Sequence, residues 1–257
     1  MVLKIKDDKK LTVMDFTGIY RMQKFYRHEN INWIDCRDIE GTHGYCSDEA
    51  KEKIKKRICT CPVNGIHFID SGNFHYVSEF YLEKLTEEFV LVVFDHHSDM
   101  LKPLFGDILS CGSWILNAME HNKYLKKVIL IGIAKEQVAL IDEKYQKDII
   151  YFTDEDLGDL NKWDKAAMLL ENYPLYISID KDVLSQDVVI TNWQQGQMYL
   201  LELKLFLAEM IKQGQVIGID ICGECSNEVA KLSEIKSNDL LNYKILEFLK
   251  RELTNNV

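Results

Sequence analysis

The chain alternates short, strongly apolar runs with longer stretches in which apolar residues recur every three or four positions. Runs of strand length occupy Leu11–Phe16, Trp33–Arg37, Gly65–Asp70, Phe89–Asp95, Lys127–Ile133, Ile149–Thr153, Leu175–Asp180 and Gln215–Ile221. Several of them (FVLVVFD, KVILIGI, QVIGIDI) are apolar on both faces, as strands must be when helices cover both sides of their sheet. Helical segments fall between many of them. Ser47, Asp48 and Glu49 supply a cap and first-turn acids, and Lys55, Lys56 and Arg57 close the same helix with the charge its dipole favours. Further helices are predicted over Val77–Glu87, Gly112–Asn122, Asn161–Asn172, Tyr199–Gln213 and Ser237–Leu253.

This order predicts an α/β fold: a three-layer, doubly wound, mostly parallel sheet of about eight strands, with helices on both faces. No repeat, low-complexity stretch or linker interrupts it. The three prolines, Pro62, Pro103 and Pro174, lie in no long polar tract, so residues 1–257 read as one domain. In such sheets ligands bind beyond the carboxyl ends of the strands, which is where chemistry is to be sought.

Composition narrows the partners. A chain of 257 residues, 47% hydrophobic and 28% charged, buries enough surface to carry an expensive polar site. A formal net charge of −10 argues against nucleic acid and against an anionic membrane surface, and leaves room for bound cations. No apolar run is long enough to span a bilayer, and the start MVLKIKDDKK lacks a signal-peptide core, so a cytoplasmic location and a small-molecule substrate are expected. The seven cysteines read as reduced thiols. Cys59 and Cys61 form an unlike and distant pair to Cys222 and Cys225, which argues against a structural zinc site.

The strand-end polar residues are the informative ones. Leu91–Phe94 is followed by Asp95, His96, His97, Ser98 and Asp99. On a roughly extended backbone Asp95, His97 and Asp99 point to one side, with His96 facing the other way. Asp180 and Asp182 share a face in the same manner, with Lys181 directed away. Two facing aspartates without a countercharge are costly in a dry cleft, and a cation removes that cost. The Gly72-Asn73-Phe74-His75 turn can bring His75 to the same place. The set of four carboxylates and two imidazoles balances two divalent ions. His67 reads as packed within its strand, and His28, His43 and His121 as polar-context residues with no assigned role.

These segments resemble the arginase, agmatinase and formiminoglutamase (ureohydrolase) family. Asp95-His96-His97-Ser98-Asp99 is similar to that family's D-A-H-x-D motif and Ser178-Ile179-Asp180-Lys181-Asp182 to its S-x-D-x-D motif. Gly72–His75 is a looser match to G-G-D-H, and Val216–Glu224 resembles the late strand that ends in an acid near the substrate. The resemblance implies that His75, Asp95, Asp99 and Asp180 bind one metal and that Asp95, His97, Asp180 and Asp182 bind the other, with Asp95 and Asp180 bridging. It implies manganese as the usual ion, zinc being the alternative. A water between the two ions would act as nucleophile on a guanidinium, amidine or amide carbon. Glu224 is the residue implied to hold a cationic substrate group. Family enzymes are often trimers or hexamers, so a homo-oligomer fits the resemblance.

The departures bear on substrate. Cys111 stands where the family commonly carries a proton-shuttling histidine, and Lys102 follows Asp99 in a loop that places polar groups in arginase. The D-P after the second motif and the Gly-Thr-Gly-Thr-Pro run are absent. These changes point to a divergent member that is not arginase itself. The expected function is a dinuclear-metal hydrolase of a C–N bond in a guanidino, amidino or related substrate. The alternatives are a metal-dependent deacylase on the same architecture and a non-catalytic metal- or ligand-binding member. The loops Asp15–Tyr20 and Gly41–Cys46 are expected at the pocket entrance.

Overall fold

The computed structural model describes residues 11–103 and 106–255; the amino-terminal segment read above for a signal peptide lies outside them. Strands β1 (Leu11–Asp15), β2 (Ile31–Asp35), β3 (Tyr45–Cys46), β4 (Ile66–Phe68), β5 (Phe89–Phe94), β6 (Leu109–Ser110), β7 (Leu125–Ile133), β8 (Ile149–Thr153), β9 (Leu175–Asp180) and β10 (Val216–Cys222) are joined by helices α1 (Asp48–Ile58), α2 (Val77–Leu82), α3 (Trp114–His121), α4 (Lys135–Val138), α5 (Leu160–Asn172), α6 (Leu200–Gln213) and α7 (Leu232–Asn255). Eight strands form one sheet in the order β2-β1-β4-β10-β9-β5-β7-β8, and every pairing in it is parallel. All eight correspond to the apolar runs seen in the sequence. The pair β3–β6 is antiparallel, two residues long, and was not foreseen.

Alternation along β5 divides the interior in two. Val90, Val92 and Phe94 pack into one core with residues of α5, α6 and α7. Phe89, Leu91 and Val93 pack into the other with residues of α1, α2 and α3. Helices therefore cover both faces, and strands of this kind have no polar side to expose. Helix α1 is built as expected, with the Ser47 hydroxyl accepting from the Ala50 amide at 3.2 Å. Two helix bounds differ. Helix α2 stops at Leu82 because the Lys84 and Leu85 amides turn back three residues, to Tyr81 and Leu82. Helix α7 starts five residues early and thereby buries Ile235 in the core.

The strand order sets the site. The chain passes from β4 to β5 across a gap that β9 and β10 fill later. Four neighbouring strands, β4, β10, β9 and β5, thus end side by side at a change of winding direction, the position where open α/β sheets form their crevice.

Candidate metal centre

The cavity at these strand ends measures about 350 Å³ and is lined by His75, Asp95, His97, Asp99, Asp180 and Asp182. All six sequence-predicted ligands therefore meet in one place. His75 arrives on the turn after β4, Asp95, His97 and Asp99 follow β5, and Asp180 and Asp182 close β9.

Their donor atoms fall into two groups that share Asp95. Around His75 Nδ1 stand Asp99 Oδ2 at 3.0 Å, Asp95 Oδ2 at 3.1 Å and Asp180 Oδ2 at 3.7 Å. Around His97 Nδ1 stand Asp182 Oδ2 at 3.0 Å and Asp95 Oδ1 at 3.4 Å. Asp95 thus offers one oxygen to each imidazole. Neighbouring donors of an octahedral ion with bonds of ~2.1 Å lie ~3.0 Å apart, so these spacings suit cations of that size. Three sets of donor atoms lie within 4.8 Å of one another: His75, Asp95 and Asp99; Asp95, His97 and Asp182; and His75, Asp180 and Cys222. Asp180 falls with the His75 side.

The route to this convergence differs from the expected one. The strand ends at Phe94, and a bend at His96 and His97 follows instead of an extended continuation. Asp99 reaches the cavity through a left-handed backbone with φ of 49°, an unusual state for a residue with a side chain and one that clusters at functional sites. The Trp114 indole holds it there, donating to Asp99 Oδ2 at 2.6 Å. Asp182 sits in a short 3-10 turn whose first amide bond is capped by Asp180 Oδ1 at 2.9 Å.

The orientation of His75 is set from behind. Its Nε2 faces Ser178 Oγ at 2.8 Å, and that hydroxyl donates to Asp220 Oδ1 at 2.6 Å. With the proton on Nε2, Nδ1 is left as a donor lone pair toward the cavity, the arrangement that fixes the tautomer of a metal-ligating histidine. Ser178 stands two and four residues before Asp180 and Asp182, so its period-two spacing carried this signal. Asp220, fully buried in β10, carried none that could be read without knowing that β9 and β10 are neighbours.

Electrostatics follow from crowding. Burial, and then the facing carboxylates, raise the pKa of Asp180 and Asp182. Burial works against a charged His75 and a charged His97, but the surrounding Cys222, Asp95 and Asp99 in the first case, and Asp182 and Asp95 in the second, outweigh it and raise both. Among the described residues lining the cavity there is no lysine or arginine to balance the acids.

Other expectations sort as follows. Glu224 does not line the cavity: it is fully buried and ion-paired with Lys181, so it holds no substrate group in this arrangement. Gly223, between Cys222 and Glu224, directs the chain here. Its φ is 92°, and a Cβ there would stand 2.3 Å from Asp180 Oδ1, so only glycine fits beside the aspartate. Cys111 does line the cavity, but burial and the nearby Asp99 push its thiol to about 12, and it keeps its proton at neutral pH. Lys102 pairs with exposed-side Asp142 at 2.9 Å and is 72% exposed, away from the cavity. His96 points elsewhere, and its backbone amide donates to Asp182 Oδ1 at 3.1 Å. His67 stacks on Tyr81, and burial lowers its pKa to about 4.

Of the two loops expected at the entrance, Gly41–Cys46 contributes His43, Gly44 and Tyr45. It is laid along the segment after the first motif, with the Cys111 amide donating to the Gly44 carbonyl at 3.0 Å. The Asp15–Tyr20 loop is structural instead: the Phe16 and Thr17 amides both donate to buried Asp70 Oδ2 at 2.8 Å. His43, left without a role above, and Trp193 form a wall through Asn73, which donates to His43 Nε2 at 3.2 Å and accepts from Trp193 Nε1 at 3.1 Å. All seven cysteines are free. No helix among the described residues is long and apolar enough to cross a membrane.

Comparison with known proteins adds four findings. The profile described as Arginase family matches residues 7–231. An uncharacterized protein of Thermotoga maritima is 31% identical over 238 residues, covering 92% of this chain and 88% of its own. The fold is similar to that of proclavaminate amidino hydrolase from Streptomyces clavuligerus, with a TM-score of 0.69 at 13% identity, covering 100% of this chain and 98% of that one. It is likewise similar to Trypanosoma cruzi formiminoglutamase with Mn2+, with a TM-score of 0.65 at 12% identity over 98% and 97% of the two chains.

Proposed function

The chain belongs to the Arginase family, and from that premise we propose that it is a dinuclear metal-dependent hydrolase cleaving a C–N bond in a guanidino, amidino or related small nitrogen-rich substrate. The observation that supports this reading most is the gathering of the six donors about two imidazoles, His75 with Asp95, Asp99 and Asp180 and His97 with Asp95 and Asp182, so that Asp95 faces both. Four buried carboxylates against two imidazoles, with no lysine or arginine among the described residues lining the cavity, leave excess negative charge that bound cations would balance. The donor set of carboxylate and imidazole suits Mn2+, with Zn2+ as the alternative.

Divalent ions held there would supply Lewis acidity and a water acidified toward neutral pH. The chain's own residues do the rest. The Ser178–Asp220 pair would hold the proton on His75 Nε2 so that Nδ1 faces a bound ion, and Trp114 fixes Asp99. Asp95, which faces both imidazoles, would help hold both ions, and Asp180 would help hold the one on the His75 side. Proton transfer is assigned to His43, the imidazole on the cavity wall outside the ligand set, since an imidazole suits that role near neutral pH better than the Cys111 thiol. Tyr45, Leu101 and Trp193 offer aromatic and apolar surface to the non-reacting end of the substrate.

Elemental analysis after incubation with Mn2+ or Zn2+ tests the reading. About two ions per chain, lost in both Asp95→Ala and Asp180→Ala, are expected, and would justify a screen of guanidino, amidino and acylated-amine substrates. On an active substrate, His43→Ala is expected to lower turnover about 100-fold with metal content unchanged. A single ion would favour the deacylase reading. No ion, with stability unchanged in the variants, would leave a binding protein.

A further inference from the structure

We propose that Cys222 is a sulfur ligand to the ion on the His75 side, which makes that half of the centre a mixed nitrogen, oxygen and sulfur site selective for thiophilic divalent ions such as Zn2+. The inference rests on the dinuclear reading above and adds to it a ligand outside the six.

Cys222 is the last residue of β10 and lies directly opposite Asp180 in the parallel register. It is fully buried, and its Sγ stands 3.1 Å from Asp180 Oδ2. The donor atoms of His75, Asp180 and Cys222 all fall within 4.8 Å of one another. An ion with bonds of ~2.3 Å to sulfur and ~2.1 Å to oxygen places those two atoms ~3.1 Å apart at right angles and ~3.6 Å apart at the tetrahedral angle. The Cys222 thiol, which here donates a hydrogen bond to Asp180 Oδ2, is therefore within a small shift of a neighbouring-ligand position on one ion.

The backbone holds the thiol in this position. At Gly223 the chain turns so tightly against the next strand that a Cβ would stand 2.3 Å from Asp180 Oδ1 and 2.7 Å from the Lys181 amide nitrogen. On binding, the thiol proton passes to solvent and the sulfur lone pair to the ion, so uptake at this side releases one proton more than the six-residue set would. The other side, Asp95, His97 and Asp182, offers only nitrogen and oxygen. The two halves thus differ in softness, and soft thiolate favours Zn2+ where oxygen donors suit Mn2+.

Cobalt tests the assignment without an activity assay, because a Co2+–thiolate bond gives charge-transfer absorption in the near ultraviolet. Metal-free protein is titrated with Co2+ under reducing, anaerobic conditions. The wild type and Cys111→Ser are expected to show the band; Cys222→Ser and Cys222→Ala are expected to lack it while still taking up cobalt. The ratio of Zn2+ to Mn2+ affinity is expected to fall about tenfold or more in both Cys222 variants. Serine retains a donor to Asp180, so a role limited to that hydrogen bond would leave Cys222→Ser with wild-type metal preference and overturn the proposal. Two cobalt ions per wild-type chain without the band would overturn it too, leaving the dinuclear reading intact. No bound cobalt would remove both.

Discussion

The segment Asp180-Lys181-Asp182 handles buried charge in two opposite ways. Lys181 points away from the cavity and is fully buried against Glu224, with Nζ also 2.8 Å from Asn238 Oδ1 and 3.1 Å from Asn242 Oδ1. Glu224 in turn accepts from Gln23 Nε2 at 2.6 Å and from Asn242 Nδ2 at 2.7 Å. The charges cancel within the protein, the polar atoms have partners, and α7 is tied to the ends of β9 and β10. Asp180 and Asp182, on the other side, face more carboxylates across open space. A closed network of charges is a fastening, whereas an uncompensated one calls for a ligand.

The largest expected effect tests the closed side. Lys181→Met strands Glu224 and should destabilise the fold by about 3–5 kcal/mol in urea titration, whereas Lys181→Met with Glu224→Leu should recover most of that loss. A cost below about 1 kcal/mol for the single change would end the distinction.

On the open side the sign should reverse. Without metal, Asp180→Asn removes a repelling charge and should leave the melting temperature unchanged or higher. With Mn2+ at about 100 times its dissociation constant, the wild type should gain ~2.7 kcal/mol and the variant nothing. Equal melting curves for both proteins in both conditions would break the comparison.

A smaller effect is expected behind His75. Ser178→Ala frees the Nε2 side of the ring and should weaken metal binding about 10- to 100-fold by competition titration, and because it also takes the hydrogen bond from buried Asp220 Oδ1 it should cost about 1–3 kcal/mol of metal-free stability.

Glu79 makes a third case, in which Lys51 and Lys55 act only at a distance and burial outweighs them. It is 3% exposed, one oxygen has no hydrogen-bond partner, and burial raises its pKa to about 7. The folded state therefore binds a proton that the unfolded chain releases near pH ~4.5. This group's contribution is intact below that pH and is lost as pH rises through about 7. Glu79→Gln should be more stable than the wild type by about 1 kcal/mol at pH 8 and lose that advantage at pH 5, as read by denaturant midpoints.

Much of this architecture was legible because its causes are local. A run such as Phe89–Phe94, apolar at every position, has few places to go but the middle of a covered sheet. The acids and histidines directly after it are delivered to that strand's end wherever the strand lies. The same holds for Asp180 and Asp182, and for Lys181, whose opposite direction follows from chain geometry alone. Glu224 shows where the reading stopped. The sequence places an acid near a strand end, but one left-handed glycine turns it away from the cavity and toward Lys181.

What the sequence by itself determined, then, is the strands, the covered sheet and the identity of the six cavity donors, because each depends on a few consecutive residues. The tertiary structure decided which of them face each other. Asp95 comes between two imidazoles, Asp220 behind His75 and Cys222 beside Asp180 only because β4, β10, β9 and β5 lie in that order. Strand order is set by packing between residues far apart in the chain, and no local pattern encodes it.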